Sequence, residues 1–438
     1  MFQQYPQGDV NEPVLLHEGR FRVRAGDRSI EVSGSARLRW LPSPGIEFDI
    51  ESDEPVGLDL EVLTVEPPGF ATKNVLAYST AAPGLIRASA SEMEWGGDRC
   101  LLSVGFQIVN CPDFITPGPA AVPGDPTTVG SGYGTIQTVG LNHDGWRIRV
   151  VAVAESWDRY KKLNATGGYA FTHVGQLTRA DGSAFSVEDA KEILESLRVF
   201  LSFARGAACA LPIQWGRGED DEIVWRRFGS PIVDGWVRAY QSWFDEHHGS
   251  VLAELFDGFC RVHTDERFGQ SLVMALHWYR HCNTRSSGME GSIVLGMASL
   301  ELLGALIVVD RNGSMTAKQY DELRPAAEQL KKLLSALNVQ ADIPRRYEAL
   351  TRFAKGHGSS NSCQALAKLR NGFVHAKEKN RRMLFGSDGK AATFDAWQLS
   401  LWYQELALLR LLGHRGSYRN RTTAMWVGQV EPVPWSKS

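Results

Sequence analysis

The stretch of this chain whose residue types and spacing suggest chemistry is RNGFVH at 370–375, within NSCQALAKLRNGFVHAK. A free imidazole titrates near pH ~6.5, so His375 can take up or release a proton at neutral pH. A guanidinium is a planar, permanently charged fork suited to stabilising anionic charge, which is the work open to Arg370. Asn371 can orient either neighbour by hydrogen bonding. The spacing predicts a helix over 362–378, capped by Asn361 or Ser362, with Leu366, Leu369 and Phe373 as its buried stripe. Lys368, Asn371 and His375 share the opposite face, and Arg370 lies at the edge of the stripe, about 140° around from His375. One ideal helix therefore does not align the two side chains. Convergence would need the long arginine arm or two copies of the helix facing across a two-fold axis. The plain alternative is a capped amphipathic helix with both side chains solvated, since Arg-x4-His is short and common.

The surroundings add charge. Between Ile343 and Arg382 there are ten basic residues against Glu348 and Glu378, a local excess of +8 in a chain of formal charge −3. Such a patch is either an electrostatic footprint for a polyanion or a solubilising face. Lys368, Lys377, Lys379, Arg381 and Arg382 are its members nearest the motif. Other signatures are missing. There is no GxxxxGK[ST] loop, no HExxH and no GxSxG, and His247-His248 has no helical ligand spacing. GSGYG at 130–134 lacks a strand–turn–helix context and reads as flexible chain. The six cysteines are far apart with no CxxC pair, which argues against a disulfide scaffold or a zinc ribbon. No metal and no cofactor is expected.

These residues need elements to hold them. Thirteen of nineteen prolines precede residue 150 and none lies between Pro231 and Pro325, so the front is turn-rich and the back helix-compatible. Short alternating or β-branched runs such as GLDLEVLTV, CLLSVGFQIV and WRIRVVAVA, with turns such as NHDG at 142–145, predict a sandwich-like β domain. The stretch 111–134 has the composition of a long loop. A first helix starts at Ser186, where Ser186 and Asp189 have capping-box spacing, and Cys209 to Gly229 reads as irregular. Further helices are expected at 269–282, 291–309, 317–338, 344–355 and 394–413, with FGSDGKAATF a turn or small hairpin. The expected organisation is a multidomain α+β chain. A β-rich domain spans 1–185, a connecting helix and linker 186–233, an all-α bundle 234–425 and a tail 426–438.

With 438 residues, 43% hydrophobic and 22% charged, the chain has the make-up of a soluble globular protein with several cores. The start has neither a basic n-region nor an apolar h-region. GSIVLGMASLELLGALIVV from Gly291 carries Glu301 in mid-segment, which favours a core helix over a membrane span. No membrane association and a cytoplasmic location are expected.

RNGFVH resembles the Arg-Asn-x-x-x-His signature of HEPN domains, a helical ribonuclease superfamily. ALHWYRHC at 275–282 followed by LGMASLELLGAL at 295–306 is similar to the early helices of the ApeA-like HEPN group, and LLGHRGSYRNR at 411–421 to its closing segment. AFTHVGQLTRADGSAFS and the helix with FLSFARG look like the N-terminal region of the same proteins. The resemblance implies a metal-independent endoribonuclease in bacterial phage defence, working as a homodimer or higher homo-oligomer on RNA. The substrate's 2′-OH would be the nucleophile, and Arg370, Asn371 and His375 the catalytic residues. The five basic residues named above would contact RNA, Glu301 would support the site or serve structure alone, and the β domain would answer a phage-derived trigger. Two alternatives stand beside it. One is a catalytically silent HEPN scaffold binding nucleic acid or a partner. The other is a β domain that binds a glycan, peptide or phage protein, for which thirteen tryptophans leave room.

Overall fold

In the strand Gly45–Glu51 of the computed structural model, Ile46, Phe48 and Ile50 are buried while Glu47, Asp49 and Glu51 point the other way. That period-two pattern gives a strand one covered face. The structure describes residues 4–25, 28–51, 63–79, 85–117, 135–136, 138–154, 156–238, 241–375, 377–423 and 426–436. Most of the loop expected over 111–134, with its GSGYG, lies outside them. Contacts divide the chain into two units, 1–201 with 208–239, and 202–207 with 240–438.

The first unit is built on two large antiparallel sheets. One has six strands in the order Leu63–Glu66, Val14–Ala25, Arg28–Arg39, Gly45–Glu51, Leu85–Ala90 and Leu76–Ser79. The other has eight: Thr138–His143, Trp146–Ala152, Phe171–Arg179, Ser103–Val109, Ala210–Arg217, Ile223–Gly229, Glu92–Trp95 and Ala71–Lys73. Phe21 and Phe48 from the first sheet, with Trp40 just past the strand ending at Arg39, share a core with Val109, Phe171, Ile213 and Trp215 from the second. The expected β-rich front is therefore present. Two readings of its details change. Helix α1 (Ser156–Thr166) was not foreseen, because Tyr160 and Leu163 are the only large apolar residues it buries. Cys209 to Gly229 is not irregular but supplies two neighbouring strands of the eight-stranded sheet. Helix α2 (Val187–Arg205) starts on the expected box, with the Asp189 amide donating to Ser186 Oγ at 3.1 Å and the Ser186 amide to Asp189 Oδ2 at 3.2 Å.

The second unit is helical, so the chain as a whole is an α+β multidomain protein. Its helices are α3 (Ser250–His263), α4 (Gly269–Thr284), α5 (Gly288–Gly304), α6 (Ala317–Asp321), α7 (Ala326–Ala336), α8 (Glu348–Gly356), α9 (Ser362–Val374), α10 (Glu378–Phe385) and α11 (Ser387–Leu411). Helix α5 runs on into a π-helical stretch, Ala305–Arg311. By length and composition Gly288–Arg311 is apolar enough to cross a membrane, yet Ile293, Met297, Leu300, Leu303 and Ile307 are buried. The helix packs on α4, α7, α9 and α11, which makes it the core of this unit. The helix expected over 317–338 is split, with Pro325 at the N-cap of α7. FGSDGKAATF is not a hairpin but the end of α10 and the start of α11. In the tail, Glu431–Pro432 pairs with Ser417–Tyr418, and Val433 and Trp435 are buried.

Candidate active site at the end of helix α9

Helix α9 is capped by Asn361, whose side chain accepts from the Gln364 amide at 3.0 Å. Leu366 and Leu369 are buried as the stripe required, while Phe373 is half-buried. The helix ends at Val374, earlier than the expected 378, and His375 leaves it with φ −108° and ψ 107°. The direction of the imidazole is thus set by extended backbone, and the 140° separation expected on an ideal helix does not apply. The His375 amide still donates to the Asn371 carbonyl at 3.0 Å. Its own carbonyl accepts from the Lys377 amide and from Asn380 Nδ2, both at 2.8 Å. These bonds fix the turn while the imidazole stays exposed.

Asn371 is exposed, and its Oδ1 accepts from Arg370 Nη1 at 3.1 Å. Arg370 is half-buried, and its Nε is shielded from solvent with no hydrogen-bond partner among the described residues. The structure therefore brings Arg370, Asn371 and the backbone of His375 together through Asn371. Gly372 between them has no Cβ, which would lie 2.9 Å from Met383 Cε and 3.2 Å from Leu384 and push those flexible side-chain ends aside. Its absence seats α10 against α9 and places Lys377 and Lys379, both exposed, just beyond the motif.

The basic patch is less available than its composition suggests. Lys368 Nζ donates to the His357 carbonyl at the end of α8, which is a structural task, so Lys368 is not held free for a ligand. Arg346 donates to the carbonyls of Arg421 and Thr423 at 2.9 and 3.0 Å. Arg352 pairs with Glu348, and Arg382 with Glu378. The side chain of Arg381 lies outside the described residues.

Glu301 forms no ion pair among the described residues. It is half-buried on α5, where burial first and the Glu301 charge second push the Tyr320 hydroxyl above its usual range. The carboxylate that does meet an arginine in this unit is Glu405, which sequence reasoning missed. Arg421 Nε donates to Glu405 Oε2 at 2.9 Å and Nη2 to Oε1, with both side chains almost fully buried. Tyr279 adds a 2.7 Å bond to Glu405 Oε1, and Arg421 Nη2 also reaches Asn283 Oδ1 at 3.1 Å. Burial opposes the charge on Arg421, yet Glu405 holds its pKa above the ordinary value. A lone acid in the apolar run QELALLRLL was the available signal.

Burial pushes the Cys260 and Cys282 thiols up to about 12. Among the described residues no three His, Cys, Asp or Glu side chains gather in a way that could hold a metal ion.

Residues 265–431 match the family model of the YopA C-terminal domain, and residues 96–239 that of the YopA central domain. The chain is 26% identical over 449 aligned residues to the SPbeta prophage-derived uncharacterized protein YopA of Bacillus subtilis (strain 168), covering 98% of this chain and 96% of that protein. No solved structure matches.

Proposed function

We propose that the chain is a metal-independent, cytoplasmic endoribonuclease of the HEPN type, with Arg370, Asn371 and His375 as its catalytic residues. The observation that carries the reading is the Arg370 guanidinium. One nitrogen is fixed by Asn371 at 3.1 Å, while Nε is shielded and has no hydrogen-bond partner among the described residues, five positions before the exposed His375. A buried donor without a partner is costly, and a phosphate oxygen would satisfy it.

In the proposed reaction the substrate 2′-OH gives its proton to a base as its oxygen attacks the adjacent phosphorus. The bond to the 5′-oxygen breaks, and that oxygen takes a proton from an acid, leaving a 2′,3′-cyclic phosphate and a 5′-hydroxyl. Neutral imidazole is the base and imidazolium the acid. One His375 cannot serve as both in a single step, so two copies of α9 facing across a two-fold axis supply the pair. Arg370 stabilises the phosphorane charge, and Lys377, Lys379, Arg381 and Arg382 bind the RNA backbone. The β-rich unit, which shows no catalytic signature, controls the reaction in response to a phage-derived trigger. Similarity to a prophage-derived protein suits a role in conflict between phage and host.

The test is incubation of the purified full chain with single-stranded RNA in excess chelator. Cleavage leaving cyclic phosphate ends, and its loss by ~10²-fold or more in His375→Ala, is the expected result. Cleavage that needs divalent metal, or that persists in the variant, rejects the mechanism.

A further inference from the structure

Away from the motif, the C-terminal end of α11 carries a second concentration of unneutralised charge. The π-helical stretch after α5 ends at Arg311, whose Nη1 donates to the Leu411 carbonyl. Arg410, in the last turn of α11, is half-buried and lies over the Trp435 ring, 5.4 Å from its centroid. Trp435 is itself fixed, its Nε1 donating to the His414 carbonyl at 2.7 Å. Gly413 turns the chain with φ +77°, a conformation other residues adopt at a cost, and exposed Arg415 follows two residues later.

These three arginines, with Asn312, line a cavity of about 210 Å³ that has no carboxylate in its wall among the described residues. Desolvation and the nearby Arg410 charge both lower the Arg311 pKa, the signature of two like charges held close without a counter-ion. Neither Arg410 nor Arg415 forms an ion pair or a side-chain hydrogen bond among the described residues. A helix C-terminus accounts for one arginine, which satisfies an orphan carbonyl. It does not account for three converging on one hollow, with two of them anchored beforehand by a carbonyl and an indole.

The cavity adjoins a larger one of about 430 Å³ that shares Arg311, Gly413, His414 and Arg415. Its wall adds apolar Leu255 and Val262, together with Glu254 and Asp257. Asp257 is occupied by Arg261, so the acid left to receive a ligand's hydroxyl or amino group is Glu254. His414 stands between the two hollows, with Nε2 donating to the Ser417 carbonyl at 3.0 Å.

We propose that the Arg311–Arg410–Arg415 cavity binds the phosphate of a small phosphorylated molecule, with the rest of that molecule lying in the larger cleft against Glu254. Guanidinium forks fixed in place match phosphate oxygens in charge and geometry, and little ordering is left to be done on binding. The site shares no residue with the proposed catalytic group and stands or falls independently of it.

The test is calorimetric titration of the full chain, in phosphate-free buffer, with pyrophosphate and separately with a nucleoside 5′-diphosphate. Both should bind, and tighter binding of the diphosphate would show that the larger cleft contributes. Arg311→Gln and Arg410→Gln should each weaken binding about tenfold or more. Arg415→Gln, which removes no contact within the fold, should keep the native melting temperature and still weaken binding. Bound ligand should raise the melting temperature of the wild type by mass action. The proposal is overturned if neither probe binds at millimolar concentration, or if Arg415→Gln and Arg410→Gln bind as the wild type does. Binding of an RNA oligonucleotide but not of pyrophosphate would overturn it as well.

Discussion

Arg370 and Asn371 are joined side chain to side chain, Nη1 to Oδ1 at 3.1 Å, although they are sequence neighbours that diverge on a helix. The bond ties the guanidinium to the Asn371 side chain, while the Asn371 backbone carbonyl separately accepts from the His375 amide at 3.0 Å. Asn371 thus holds Arg370 through its side chain and the turn at His375 through its backbone. Its amide is neutral, so it orients Arg370 without cancelling the charge.

That neutrality can be tested. Asn371→Ala frees Arg370 and should lower RNA cleavage, while Asn371→Asp should lower it further, by about tenfold more, because a carboxylate pairs with the guanidinium and competes with phosphate. Asn371 is exposed, so circular dichroism should remain native in both variants. Equal activity in the two variants would show that Asn371 does not govern the charge on Arg370.

A site needing one imidazole as base and another as acid makes a second prediction. Activity per chain should fall on dilution, in step with dimer dissociation followed by sedimentation. Mixing wild type with an excess of His375→Ala should poison activity, since mixed pairs lack one of the two groups. A monomer with undiminished specific activity contradicts the paired site.

What could be read beforehand was local. The Ser186/Asp189 box, the Asn361 cap and the NHDG hairpin, where His143 pairs with Trp146, each depend on residues a few positions apart. What could not be read depends on distant partners. Ala210–Gly216 is buried throughout, so it has no alternation to mark it as a strand. Pro212, which argues against a central strand, falls where the ladder shifts between Ala210 and Ile213. Ser387, Asp388 and Gly389 have the residue types of a turn and equally those of a helix start, and here they open α11. The candidate site was legible as a motif, but the helix end that redirects His375 was not. The Glu405–Arg421 pair joins residues whose meeting no spacing rule announces.

That pair leads to a prediction about stability. Glu405→Gln keeps the shape of the side chain but leaves the Arg421 charge buried without its counter-ion, at a cost of about 3–5 kcal/mol. Urea denaturation should show this as a lower midpoint with an unchanged slope. Replacing both residues by Glu405→Leu and Arg421→Met should be less damaging than Glu405→Gln alone, because no charge is then stranded. A single variant as stable as the wild type would mean that water reaches Arg421.

The β-rich unit offers a prediction in pH. His173 is buried in the eight-stranded sheet, stacked on Phe114 with ring centroids 4.6 Å apart and its Nδ1 3.1 Å from the Thr172 hydroxyl. Burial holds its pKa down to about 3. In the unfolded chain the ring returns to about 6.5. Between those values the unfolded state binds a proton that the folded state refuses, so the contribution to stability is full above about pH 6.5 and is lost as the pH falls. From pH 7 to pH 5 the loss is about 2 kcal/mol. His173→Phe retains a ring against Phe114 and removes the titration. Carboxylates elsewhere in the unit titrate alike in both proteins, so the difference between the two pH profiles isolates His173. The variant's urea midpoint should therefore fall less than the wild type's between pH 7 and pH 5. Identical profiles would mean that the folded unit admits the proton, through water or an acceptor at Nε2.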